Sequence, residues 1–288
     1  MAGAGVFPKV TGDVIYHDDY NAIRTVINSV LETYYFQTGG TAATATGQSI
    51  DDNEWDLLKT DIDKCYTHIT GSNSSAPAVN AGDLVTYSNT NAYNTAAAYC
   101  STNKATVYAS TQLALVSGLA TTNRNGASSP WHTGITSTVS ATFASVNDID
   151  AFFNLGGYFT MGTTSSGGGG YGKDLNWSTM ITNAGTRNFT RAIWVGLKSV
   201  GVGDTSDIYT NSGSSVYSAN SLTYRVEYYS STVLRFHTIL TDAAGPNPNY
   251  DENVTLNISS SLGQYKSVDA IVSPLPSSYS TVANFTGS

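Results

Sequence analysis

Residues 148–172 read DIDAFFNLGGYFTMGTTSSGGGGYG, and the reading of this stretch divides the chain. An apolar, aromatic run at Ala151 to Phe153 meets the pair Gly156-Gly157. A second aromatic segment, Tyr158 to Met161, then empties into four glycines at Gly167 to Gly170. Glycine pairs inside a strand pattern mark a bend or a close backbone approach, because glycine alone takes positive φ without steric cost. The stretch therefore predicts a kinked core strand followed by a Gly/Ser loop. Residues before it carry helical periodicity, and residues after it alternate as strands do.

Upstream, His17-Asp18-Asp19 opens a helix, with carboxylates placed to cap free N–H groups and to oppose the helix dipole. Tyr20, Ile23, Ile27, Val30, Leu31 and Tyr34 keep the i, i+3, i+4, i+7 rhythm of one buried face. Ser49 or Asp51 caps a second helix with the stripe Trp55, Leu58, Ile62, Cys65 and Ile69, and Gly71 stops it. The loop between them predicts an antiparallel hairpin. Tyr93, Ala96, Ala97, Cys100 and Val107 mark a third helix, and 108–119 fits a helical continuation or a strand. The turn-rich segment 123–130 (NRNGASSP) places a domain boundary, with a helical docking domain over 1–127 and a β-sandwich over 128–288.

After Trp131 the period changes from 3.6 to 2. Ile135, Val139, Ala141 and Phe143 alternate with hydroxyl residues, and the same alternation is read over 189–198, 224–228, 234–240 and 254–258. Only 174–183 breaks the series, as a short helix setting Trp177 against a sheet. The fold class is thus α+β, a helical hairpin or bundle followed by an antiparallel sandwich.

Charged residues make up only 12% of the 288, and the net charge is −8. That balance argues against binding nucleic acid or an anionic membrane, which calls for clustered Lys and Arg. Nothing in the first ten residues resembles a signal peptide, so synthesis and folding in a cytoplasm are expected. There Cys65 and Cys100 are expected as buried thiols rather than a disulfide.

No chemistry stands out. His17, Asp18 and Asp19 point in different directions from a helix start, and none of the four histidines has a local triad partner. The four-glycine run lacks the GxxxxGK[ST] of a phosphate loop. The acids of 242–252 do not have the spacing of a calcium loop, so a solvated loop is expected there. No catalytic residue, metal or cofactor is expected, and the chain reads as non-enzymatic. Tyr224, Tyr228, Tyr229 and Tyr250, beside Asn and Asp, are the ingredients of a glycan-binding surface, though core or subunit contacts suit them better.

Gly12-Asp13-Val14-Ile15 with Asp19-Tyr20-Asn21, then Gly47-Gln48-Ser49 with Trp55, Leu58, Asp61-Ile62, Cys65 and His68, then Phe152 to Gly157 and Asn176-Trp177, form a succession. It resembles a family of virion structural proteins of tailed bacteriophages, particularly marine and cyanobacterial ones. The resemblance implies a particle component of the tail, baseplate or a fibre, located in the virion after assembly in the host cytoplasm. Its partners would be copies of itself, as a trimer in a fibre or a hexamer in a tail ring, and other virion proteins. Docking is assigned to the apolar first sixteen residues together with the outer faces of the first two helices, because Val6, Phe7, Val14 and Ile15 precede any element able to bury them alone. The alternative is a carbohydrate-binding adhesin that meets a host surface through its sandwich loops.

Overall fold

Helix starts in the first third of the chain fall at His17, Asp52 and Tyr87, a constant spacing of 35 residues. The computed structural model describes residues 5–45, 48–108, 113–116, 121–128, 130–131, 133–169, 172–243, 253–267, 271 and 273–284. The chain divides into two compact units. The first is built from Met1–Ala114, Asp150–Gly156 and Ser267–Ser273, and the second from Leu115–Ile149, Gly157–Lys266 and Pro274–Ser288.

In the first unit, helix α1 (His17–Asn28) continues as a π-helical turn (Ser29–Tyr34), followed by α2 (Asp52–Thr70) and α3 (Tyr87–Asn103). The spacing of 35 extends to the hydrogen bonds that open each helix. The residue three before each of Asp13, Gln48 and Asp83 accepts their backbone N–H, at 3.0, 3.0 and 2.9 Å. Their side chains in turn accept from Val10 N, Ala45 N and Asn80 N at 2.9, 2.7 and 2.8 Å. Three residues on, the N-cap amides of Tyr16, Asp51 and Thr86 donate to Asp19, Glu54 and Asn89 at 2.7, 2.9 and 3.1 Å, one arm of a capping box in each case. Gly12 and Gly82 hold equivalent turn positions at φ +92° and +87° with open space around them, so backbone conformation alone selects glycine there. These are three tandem copies of one turn-helix unit.

The copies pack as a parallel bundle, and the antiparallel hairpin expected from loop length is corrected. At the helix starts the Trp55 ring lies 5.3 Å from Tyr20 and 5.0 Å from Tyr93. At the helix ends Tyr35 lies 5.2 Å from His68 and donates to Lys104 O at 2.9 Å. A 19-residue helix rises only about 28 Å. An extended segment such as 71–86 reaches about 50 Å, so each linker can run back along the bundle and start the next helix at the same end.

Equivalent positions stack in layers, each fully buried: Ile23, Leu58 and Tyr93; Ile27, Ile62 and Ala97; Val30, Cys65 and Cys100. Cys65 and Cys100 are buried thiols with no disulfide, and burial pushes the Cys100 thiol up to about 12.

Ala151 to Phe153 belong to a helix, α4 (Val146–Asn154), and not to a strand. Ser145 caps it, accepting from Asp148 N at 3.2 Å and donating to the Asp148 carboxylate at 2.8 Å. Within the first unit, Asn154 Nδ2 donates to Tyr34 O at 2.8 Å, and Leu155 joins the bundle core. Gly156 has φ +79°, and a Val107 methyl sits 2.5 Å from where its Cβ would stand. The C-terminal end of the bundle is therefore covered by chain from 150–156.

The second unit is the sandwich. One antiparallel sheet has β1 (Leu113–Val116), β9 (Leu256–Ser267), β4 (Tyr158–Gly167) and β5 (Arg187–Phe189) in that order, with β2 (Thr121–Arg124) also pairing β9. The other has the order β10 (Ser278–Asn284), β3 (Gly134–Thr142), β8 (Val233–Thr241), β7 (Ser221–Ser230) and β6 (Thr205–Ser212). Phe236 of β8 meets Phe159 of β4 at 4.7 Å and Phe189 of β5 at 5.8 Å, which closes the two inner faces on one another. The expected helix near Trp177 is α5 (Gly172–Ala184), with the Trp177 ring 5.1 Å from Trp131.

The strand expected over 189–198 is corrected. After Phe189 the chain turns into α6 (Arg191–Val200), because Trp194 and Leu197, three apart, bury on one helical face. The glycine run makes a tight corner, with Gly167 and Gly168 at φ +75° and +81° and the Asp174 carboxylate accepting from Gly169 N at 2.9 Å. Gly170 lies outside the described residues.

Candidate assembly surface

The N-terminal arm is the first place to look, since its apolar residues were assigned to docking. Much of it is seated on its own bundle. Asn91 of α3 exchanges two hydrogen bonds with the Lys9 backbone, both 2.7 Å. Asn21 of α1 does the same to Thr44, at 2.8 and 3.1 Å. Thr44 stands 35 residues after Lys9, and Asn91 stands 70 after Asn21. Each asparagine thus clasps the segment leading into another copy, and the arm closes the ring from the third copy back to the first. The Lys9 ammonium lies 2.8 Å from the Asp19 carboxylate, with both side chains fully buried. Asp19 also accepts from Gly5 N at 2.6 Å and Tyr16 N at 2.7 Å, so both of its oxygens are hydrogen-bonded.

What the arm leaves outside is apolar. Val6 and Val14 are exposed, whereas Phe7 and Ile15 are half-buried, Phe7 packing on the bundle core. Leu84, the counterpart of Val14 in the third copy, is 88% exposed, and Val10, Tyr16 and Tyr87 add further open apolar surface at the same end. Amid them is a hollow of about 270 Å³ lined by Ile15, Ile50 and Val85, one equivalent residue from each copy, with Tyr16, His17, Gln48 and Trp55 around it. Asp18, Asp51 and Asp83 stand exposed at this end, and its lysine is committed to Asp19. The arrangement is an apolar, anionic crown at the open end of the bundle.

No known protein family, curated protein or solved structure matches this chain. The crown is therefore read on its own chemistry.

The glycan reading is corrected on two of its four tyrosines. Tyr224 is fully buried and Tyr228 nearly so, with the latter 5.0 Å from the Trp194 ring. Tyr229 is exposed with the Arg235 guanidinium over its face, and Tyr250 lies outside the described residues. A polar groove of about 280 Å³ does cross β2, β9 and β4, lined by Asn123, Thr164, Asn257 and Ser259. Among the described residues no aromatic ring lines it.

The structure assembles one cross-strand set that local sequence does not reveal. His237 Nδ1 lies 2.9 Å from Thr138 Oγ1, and its Nε2 lies 3.2 Å from Glu227. Thr138 faces His237 across β3 and β8 in register, so the set is a polar ladder on the sheet. Burial holds the His237 imidazole below its ordinary value, against a weaker opposing pull from Glu227. In the 242–252 loop, Asp242 forms a buried pair with Lys173 at 2.7 Å. Among the described residues no three His, Cys, Asp or Glu side chains gather as metal ligands, and no helix is long and apolar enough to cross a membrane. His132 lies outside the described residues.

Sequence reasoning missed the crown because it read the three helices separately. The signal was present as the recurrence Gly12, Gly47, Gly82 and, three residues on, Ile15, Ile50, Val85.

Proposed function

We propose that this chain is a non-enzymatic structural component of a bacteriophage virion, of the tail, baseplate or a fibre, which assembles through its N-terminal bundle. The observation that carries the reading is the crown: exposed Val14 and Leu84 around a hollow lined by Ile15, Ile50 and Val85. Apolar surface grouped at one end of a domain, where water gains nothing from it, belongs to a protein contact. The low content of charge, 12% of residues, suits surfaces that stay covered after assembly. The resemblance of its motif order to that of tailed-phage virion proteins supports a place in such a particle. Its partners are copies of itself and other virion proteins.

The test is compositional. Particles purified from infected host cells by density gradient are digested, and the chain is quantified against the major capsid protein. A fixed ratio that survives a salt wash is expected. Absence from washed particles, with the chain present in the lysate, would overturn the reading.

A further inference from the structure

We infer that the crown is a socket for a threefold-symmetric protein, a homotrimer seated with its axis on the axis of the three copies. This inference rests on the assembly reading above and adds the partner's symmetry and chemistry. Helix starts, turn bonds and cap bonds recur at 35 residues, and the helices are parallel, so three equivalent turns surround one axis at one end of the bundle. At that end a hollow takes one apolar residue from each copy, Ile15, Ile50 and Val85, with Tyr16 and His17 of the first copy and Gln48 and Trp55 of the second beside them. The outer position of each turn is Val14, Ser49 and Leu84.

Duplication of an ancestral segment accounts for the repeat and for the capping residues. It does not account for leucine at an 88% exposed position that Ser49 shows to be compatible with a polar side chain. A surface with three equivalent faces is matched by a partner offering the same residue three times, which makes the contact closed and limits it to one chain per trimer. Charge decides against a second copy of this chain at the crown. Asp51 and Asp83 of two crowns, with Asp18 held 2.8 Å from His17 Nε2, would face one another, and like charges across a contact are disfavoured. The helix N-termini offset part of that charge. The fitting trimer presents an apolar tip with Lys or Arg beside it, since Asp18, Asp51 and Asp83 stand at three different positions of the repeat.

The experiment places a photo-crosslinking amino acid, p-benzoylphenylalanine, at Val14, Ser49 or Leu84 of the full chain, one position at a time, in the cells that assemble the particle. Purified particles are irradiated and the joined peptides are sequenced by mass spectrometry. All three positions should reach the same short segment of one partner, present at three copies per copy of this chain. Three different partners, three remote segments of one partner, or a ratio of one to one would overturn the symmetry. Crosslinks between two copies of this chain would replace the trimer by a self-contact. A Val14→Asp/Leu84→Asp variant, with unchanged circular dichroism and melting, should fall at least tenfold in particle incorporation. Unchanged incorporation would sink the socket. If washed particles lack the chain altogether, the assembly reading fails, and the same crosslinks made in intact producing cells still decide the symmetry of the partner.

Discussion

Gly156 and Gly82 both have positive φ, at +79° and +87°, yet they are glycine for different reasons. Around Gly82 a Cβ would meet nothing within 4 Å, whereas at Gly156 it would meet Val107 at 2.5 Å. Gly82→Ala should therefore cost only the left-handed backbone, about 1–2 kcal/mol. Gly156→Ala adds overpacking of about 1–3 kcal/mol. Urea denaturation of the two variants should rank them in that order, and equal losses would remove the packing argument. His237 belongs to the same scale. Burial keeps its folded-state value below the ordinary 6.5, so the unfolded chain binds this proton more readily. Its contribution to stability is present above pH 6.5 and is lost as pH falls from there toward the folded value. The wild type should lose stability between pH 7.5 and 5.5, and His237→Gln should lose less; identical slopes would count against the assignment.

At the scale of elements, the bundle hangs on contacts between copies. Trp55 is 2% exposed and touches the rings of Tyr20 and Tyr93, one on each neighbouring helix. Trp55→Ala should cost about 3–5 kcal/mol in the bundle, read as a drop in the urea midpoint. The arm is held by a different force. Lys9→Met leaves the Asp19 carboxylate buried without its cation, a change worth about 3–5 kcal/mol. Adding Asp19→Asn should restore part of that loss, because the stranded charge is gone. A double variant no more stable than Lys9→Met would mean that the ammonium acts through packing alone.

At the scale of the molecule, two units with separate cores should unfold separately. Removing residues 1–16 takes away Lys9 from both Asp19 and Asn91 and opens the ring of copies. Calorimetry of that truncated chain should show the bundle transition lowered or lost and the sandwich transition kept. A single transition shifted as a whole would join the two units into one cooperative system. What was legible beforehand follows from local physics. The stripe from Ile23 to Val30, the Asp51 cap with its Gly71 stop, and the alternation of Ile135, Val139 and Ala141 each report a period that one element must satisfy, and each stands in the structure as read.

The misreadings share a cause. Phe152-Phe153 and Trp194 are apolar in either a helix or a strand, and short aromatic runs do not separate the two; the Ser145–Asp148 cap did, but it lies outside the run. Helix direction was decided by tertiary structure, because a linker long enough to turn back can equally run the length of a helix, and only ring contacts such as Tyr35 with His68 choose between them. The sequence by itself determined the elements whose period is long and regular, α1, α2 and β3 among them, and, in its period of 35, the equivalence of three helices. Tertiary structure alone decided that the three stand parallel around one axis, that the arm closes the ring, and that Ile15, Ile50 and Val85 meet. Such contacts depend on residues far apart in the chain, which no local pattern encodes.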